Sequence, residues 1–408
     1  MTPHFVYVSS GAGRTVDEYE ALWAELSGRG AQITLAAHDA DDVTLPVSVT
    51  PKAIPLTGTV NPLRDAATMA VLVAALDGLS VDVMHATDLR SLPSAAAARK
   101  IARVPFLFAT LSNTPAAVAS MLSSRLTELP KRRGVARVLR QAGVDRFVAL
   151  HRGIAETWAE AGIPPNSIEL LESGFGIDVE AWQNDGARSA EQSDARAEAG
   201  WRRARLIVAC APEQWDTRTE TRLRAIALRL ASHVPSAQLF VHVQEGASRQ
   251  APDGPWTLAP SRELLFRAAD MLLAVDAHVS RPTAVMEASA ARVPVIAHDC
   301  AGLRALVRDG FNGLVVDGDD VLSVAAAITQ LAGDAEMREQ MGARARSMMR
   351  RTADRDLAAQ QQLRAYDAVF REKVGEPLHV SLNGQLFTPS ESEAQADAAA
   401  RRVRDLTS

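Results

Sequence analysis

Short apolar runs alternate with longer stretches of helical period along this chain, and the alternation occurs twice; no other feature constrains the fold as tightly. In the first series, residues 5–9 read as a buried strand, 11–14 as a tight loop, 15–26 as a helix and Gln32–Ala37 as the next strand. The pattern returns at 81–86, 105–111 and 147–150, each beside an alanine-rich helical stretch. A second series begins at 206–211 and continues through 238–243, 271–275, 293–297 and Gly313–Val316. Strands that alternate with helices in this way predict parallel, doubly wound sheets. Between the series lies 183–200, polar and poor in apolar residues, where the domain junction is expected. A length of 408 residues also exceeds what one hydrophobic core usually supports. The expected division is a first domain over 1–182, a linker over 183–200 and a second domain over 201–345. A C-terminal helix over 346–375 and a polar, loosely held tail over 376–408 complete it. The helical period itself runs from Ala335 to about Lys373 without a visible break.

Charge and cysteine content narrow the class. A formal net charge of -5 supplies no global positive field for releasing counterions from nucleic acid, so no nucleic-acid partner is expected. Only Cys210 and Cys300 are present, which excludes a disulfide framework and suits a reducing cytosol. The opening "MTPHFVYVSS" runs straight into a strand-like segment, without a basic stretch followed by a long apolar one. No window approaches the roughly 18 uninterrupted apolar residues that a membrane span needs. The expected location is therefore cytoplasmic.

Open parallel sheets hold ligands outside the carboxyl ends of their strands. "SSGAGRT" at 9–15 is one such loop: Gly11 and Gly13 would let backbone N–H groups approach an anion at a helix start. It is not a full dinucleotide fingerprint, and a plain tight turn fits it equally. "RPTAVMEASAARVPVIAHD" at 281–299 is the other. Pro282 suits a first helical turn that Ser280 or Thr283 could cap, and Glu287 falls four residues after Thr283 on the same face. A carboxylate there would repel a diphosphate but would accept hydrogen bonds from a ribose diol; a solvated or dipole-stabilised glutamate is the alternative.

The stretch "RPTAVMEASAARVPVIAHDCAGLRALVRDGFNGLVVDGDD" at 281–320, continued by "LSVAAAITQLAGDAEMREQMGARARS", resembles the second domain of the family 4 GT-B glycosyltransferases. The resemblance rests on an EA pair followed by A-x-x-PVI, a glycine, LV, DG, NGL and a DD turn. "DVMHATD" at 82–88 is similar to the family's strand ahead of its catalytic histidine. "GVDRFVAL", then "GIAETWAEAGIPPNSIELLESGFGIDVEAW", resembles its later strand, helix and nucleotide-proximal linker. The resemblance implies two Rossmann-like doubly wound domains facing a cleft, an α/β architecture. It implies a nucleotide-sugar donor held by the second domain and an acceptor, not identifiable from sequence, held by the first. It implies sugar transfer with retention of configuration, no catalytic metal and no cofactor beyond the nucleotide-sugar co-substrate.

Several family positions are altered. Where the family supplies an arginine and a lysine after the first strand of the second domain, "CAPEQWDTRTE" at 210–220 sets Pro212 and Thr217. Eight residues before Glu287, where the family has a sugar-proximal glutamate, stands Val279. The resemblance places His85 and Thr87 at the first-domain side of the cleft, with His85 retained and Thr87 standing where the family has a second histidine near the donor sugar. The segment 243–265 is short for the family. Each lost electrostatic donor could cost on the order of 3 kcal/mol of transition-state stabilisation. Arg218, Arg281 with His278, and Arg304 after Gly302 are the candidates to reach a phosphate instead; the alternative for each is a local ion pair. "DADD" at 39–42 and "DGDD" at 317–320 have the look of a metal motif but suit turns, and no metal site is expected. "PKRRGVARVLR" at 130–140 makes a basic helix, a candidate for peripheral contact with an anionic membrane or simply a solvated face. Two readings stand: a retaining transferase with a remodelled donor site, and a catalytically silent relative that acts as a binding or partner subunit.

Overall fold

The computed structural model describes residues 3–56, 62–112, 115, 132–171, 174–182, 188–202, 206–212, 215–243, 253–274 and 283–374. The first series folds into β1 (His4–Val8), β2 (Gln32–Ala37), β3 (Val49–Ala53), β4 (Val83–Ala86), β5 (Phe106–Leu111), β6 (Arg146–Ala149) and β7 (Ile168–Leu170). These form one parallel sheet in the order β3-β2-β1-β4-β5-β6-β7. Helices α1 (Ala12–Gly28), α2 (Pro62–Leu76), α3 (Leu92–Ala102), α4 (Arg132–Gln141) and α5 (Arg152–Ala161) accompany it. Alternate strand residues enter different cores. Val6, Val8, Met84, Ala86, Leu107 and Ala109 pack with Ala95 and Trp158 on one face. Phe5, Tyr7, Val83, Phe106 and Phe108 pack with Leu22 and Trp23 of α1 on the other. Burial on both faces is why these strands read as near-continuous apolar runs.

The second series folds into β8 (Leu206–Cys210), β9 (Ala237–Val241), β10 (Thr257–Leu258), β11 (Met271–Ala274), β12 (Val295–His298) and β13 (Gly313–Val316). Their parallel order is β10-β9-β8-β11-β12-β13. Its helices are α6 (Arg188–Glu198), α7 (Thr217–His233), α8 (Arg262–Ala268), α9 (Thr283–Ala290), α10 (Ala301–Arg304), α11 (Val321–Gly333) and α12 (Ala335–Thr352). Strand order reverses between β1 and β4 in the first sheet and between β8 and β11 in the second. Ligand crevices of open α/β sheets lie at such switch points.

Two expectations change. The stretch 183–200 is not only a linker: residues 188–198 form α6, which is fastened to the second domain. The Arg188 guanidinium donates to the carbonyls of Phe266, Arg267 and Ala269 at 2.8–2.9 Å, satisfying the C-terminal end of α8. The long C-terminal helical pattern is broken at Ala353 and Asp354, and α13 (Arg355–Val374) follows. At the break, Ile177 and Asp354 form a bridge in which the Ile177 N–H donates to the Ala353 carbonyl and Arg355 N–H returns to Ile177, each at 2.9 Å. Gly176 makes this crossing possible. Its φ is +70°, and a Cβ there would stand 2.8 Å from the backbone of Asp354 and Arg355. Beyond the crossing, α13 returns to the first domain, where Ala359, Leu363, Tyr366 and Val369 join the core of Tyr7 and Phe108. The tail expected over 376–408 lies outside the described residues. Among those described, no helix is long and apolar enough to cross a membrane.

Candidate functional site

At the first switch point the glycine loop follows β1. Gly11 caps α1 in an extended conformation, and a Cβ at Gly11 would meet nothing within 4 Å. Three loop donors are taken by the protein's own acceptors. The Ser10 N–H reaches Asp88 Oδ2 at 2.9 Å, the Gly11 N–H reaches Ser9 Oγ at 3.1 Å and the Ala12 N–H reaches Asp39 Oδ1 at 2.7 Å. Asp88 also accepts from the Ser91 N–H at 2.8 Å, tying the loops after β1 and β4 together. The expectation that this loop presents its N–H groups to an anion is corrected for Ser10, Gly11 and Ala12, whose donors are taken by Asp88, Ser9 and Asp39, while Gly13 is the second residue of α1. Asp39, the first residue of "DADD", is thus a helix cap and accepts the Asp42 N–H at its carbonyl in a turn.

His85 and Thr87 share a strand face, as the two-residue period requires. Neither opens to a cleft, which corrects the expectation for both. His85 is 1% exposed, and its row across the sheet is Tyr7, His85, Phe108. Tyr366 of α13 lies over it, with its hydroxyl 2.5 Å from His85 Nδ1 and 3.2 Å from the Tyr7 hydroxyl. His85 Nε2 is 2.9 Å from Thr110 Oγ1, which is 2.7 Å from the Tyr19 hydroxyl. Burial pushes the His85 imidazole down to about 3 and raises the Tyr366 phenol well above its usual value. A neutral imidazole inside a five-member hydrogen-bonded chain is a core group, not a reacting one. Thr87, nearer the strand end, is 2% exposed and turns its hydroxyl back to the Val8 carbonyl at 3.4 Å.

The second domain's carboxyl face carries the other candidates. Pro212 is buried just past β8, and Thr217 is the first residue of α7, whose N-cap Asp216 accepts the Thr219 N–H at 2.7 Å. The expected cation positions therefore flank this helix start. Arg218 is 63% exposed and pairs with Asp319 at 2.9 Å, while Arg222 meets the same carboxylate. Gly302 and Arg304 lie on the short α10, and Arg304 pairs with Asp299, Nη2 to Oδ2 at 2.6 Å. This mutual pairing holds the Asp299 carboxyl below its ordinary range and raises Arg304. "DGDD" is a turn and cap: the Asp319 N–H donates to Asp317, and Asp320 caps α11 through the Leu322 N–H. Among the described residues no group of three or more His, Cys, Asp or Glu side chains could hold a metal.

Thr283 opens α9, and Glu287 follows one turn later with its side chain 14% exposed. Arg262, at the first position of α8, brings Nη2 to 3.3 Å from Glu287 Oε1. Arg281, like Ser280, Pro282, Val279 and His278, lies outside the described residues. Sequence reasoning did not single out Arg262, because no motif joins residues 25 positions apart on different helices.

Two family models match the chain, a glycosyl transferase 4-like domain over residues 10–174 and glycosyl transferases group 1 over 263–348. The chain belongs to the GT-B glycosyltransferases of the family 4-like type. Among curated members, a D-inositol 3-phosphate glycosyltransferase of Thermomonospora curvata is 28% identical over 224 residues, 50% of this chain and 52% of that one. Its counterpart in Nocardia farcinica is 30% identical over 178 residues, 39% and 40% of the two chains. The match thus spans about half, or less, of the length of these relatives. The GT-B fold is shared with Anabaena Alr3699/HepE in complex with UDP and glucose, at a TM-score of 0.68 and 14% identity over 90% of this chain and 100% of that one. Sucrose-phosphate synthase from Thermosynechococcus elongatus has a TM-score of 0.71 at 14% identity, over 91% and 100% of the chains.

Proposed function

We propose that this GT-B protein binds a nucleotide sugar on its second domain and transfers the sugar to an acceptor with retention of configuration, without a metal. Glu287 carries the proposal: a largely shielded carboxylate beside a helix start on the carboxyl face of a Rossmann-like sheet suits a ribose diol. Departure of a nucleoside diphosphate needs fixed positive charge. Arg218 and Arg304 can supply it, since their pairs with Asp319 and Asp299 are exposed and such pairs hold weakly. A diphosphate competes for a guanidinium with stronger, charge-assisted bonds. Structural relatives captured with UDP and glucose, or with UDP-glucose, make uridine nucleotides the first donors to try. The curated relatives make an inositol phosphate the first acceptor. The exposed basic face of α4, with Arg137 and Arg140, is where contact with an anionic membrane would occur.

A second reading, a silent relative acting as a partner subunit, is favoured by the buried His85 and by the carboxylates that occupy the glycine loop. Thermal shifts with UDP, GDP, ADP and TDP on wild type and Glu287→Ala separate the two. The transferase reading expects a shift with one nucleotide that Glu287→Ala abolishes, and consumption of the matching nucleotide sugar by pure protein. Absence of any shift removes that reading in favour of the silent one.

A further inference from the structure

The pairing of Arg262 with Glu287 has no local explanation. Arg262 occupies the first turn of α8, where Ser261 caps the helix by accepting the Leu264 N–H at 3.1 Å. A cation at that end faces the positive pole of the helix dipole, so the electrostatics of the helix give no reason for a positive charge there. Its guanidinium nevertheless reaches across to α9 and stands 3.3 Å from Glu287 Oε1. Glu287 is the more shielded of the two, 14% exposed against 34%. A carboxylate so far withdrawn from water needs a compensating charge or donors close by.

We propose that Arg262 is a positioning residue for ribose recognition: it holds the Glu287 carboxylate in one orientation, so that the protein distinguishes ribose from a sugar lacking the 2′ and 3′ hydroxyls. The inference rests on the nucleotide-binding reading above. A carboxylate offers about four lone-pair directions. A guanidinium approaching Oε1 leaves others for a vicinal diol, and it fixes where they point. Without Arg262 the carboxylate keeps its acceptors but loses the contact that aims Oε1, so the hydroxyl contribution falls while base and diphosphate contacts remain. The effect therefore appears in the ratio between ribonucleotide and dideoxynucleotide affinities, a quantity that a general loosening of the fold does not alter selectively.

The experiment is calorimetric titration of the full chain with UDP, GDP and ADP and with their 2′,3′-dideoxy counterparts. Wild type, Arg262→Ala and Arg262→Lys are compared. Wild type is expected to favour the ribonucleotide by about tenfold or more, the scale of hydrogen bonds to a charged acceptor. Arg262→Ala is expected to bring the ratio to within about twofold of unity with dideoxynucleotide affinity unchanged, and Arg262→Lys to restore part of it. An unchanged ratio in Arg262→Ala overturns the inference and leaves nucleotide binding intact. Equal loss of both ligands in Arg262→Ala also overturns it, by assigning Arg262 to the shared part of the nucleotide or to the fold. A wild type that binds ribo and dideoxy forms alike overturns it without any variant. Failure of wild type to bind all six nucleotides overturns the parent reading and the inference together.

Discussion

His85 and Glu287 are both family positions, one in each domain, and the structure treats them in opposite ways. His85 lies mid-strand beneath a helix that returns from the far end of the chain, and every polar atom of its ring is committed inside the core. Glu287 lies on a helix at the carboxyl face, partly open, and its recorded ion pair crosses to a neighbouring helix. The difference is one of depth. Groups that must meet a ligand sit at the ends of strands or the starts of helices; in mid-strand, a face covered by a packed helix belongs to the core. A retained motif residue is therefore no guide to function until what packs over it is known.

The largest test of this contrast is Tyr366→Ala, which removes the aromatic ring that seals His85 and anchors α13 to the first domain. Truncating a fully buried aromatic side chain costs about 3–5 kcal/mol, to be read as a lowered denaturation midpoint. Retention of wild-type stability would mean that α13 does not seal the His85 face.

Next comes the pH dependence. Burial lowers His85 to about 3, against about 6.5 in the unfolded chain. Between those values the unfolded state binds the proton and the folded state does not. The stability is thus fully present above about pH 6.5 and is lost as pH falls toward 3, by about 1.4 kcal/mol per pH unit. His4, also lowered chiefly by burial, acts in the same direction. Denaturation midpoints from pH 7 to 4.5 should fall more steeply in wild type than in His85→Gln. Equal slopes would put His85 in contact with solvent and return it to the list of cleft residues.

The smallest effect belongs to the exposed ion pairs. Asp319→Asn removes the carboxylate charge that Arg218 pairs with, so nucleoside diphosphate affinity should rise, by less than about tenfold because that exposed pair is weak. Unchanged affinity would detach Arg218 from the diphosphate and bring the two regions closer in character, both carrying charges that serve only the fold.

Most of the architecture is legible in the sequence because a strand buried on both faces leaves an apolar run wherever it sits. Gln32–Ala37 and Gly313–Val316 are read from the chain with the bounds the structure has. The short edge strands are not. β3 is "VTPKA", exposed beyond Val49, and β10 has only two residues; both are strands because a neighbour supplies the hydrogen bonds. The helical break at Ala353 is silent for a similar reason: both sides keep one period, and the break is made by Ile177, nearly 180 residues earlier. Of the site, Glu287 and the cationic candidates Arg218 and Arg304 were nameable from their motif neighbourhood. The partners Arg262 and Asp319 were not, because an ion pair between elements leaves no periodic trace, whereas Arg304 with Asp299, five residues away, is the local ion pair weighed as its alternative.

By itself the sequence determined the two parallel sheets, since hydrophobic period acts along the chain, and its motifs carried the family resemblance that singles out Glu287. Only the tertiary structure decided that His85 is a core residue, that Asp39 and Asp88 occupy the glycine loop, and that Arg262 meets Glu287. Burial and charge pairing are set by what lies across space, and these partners come from distant parts of the chain.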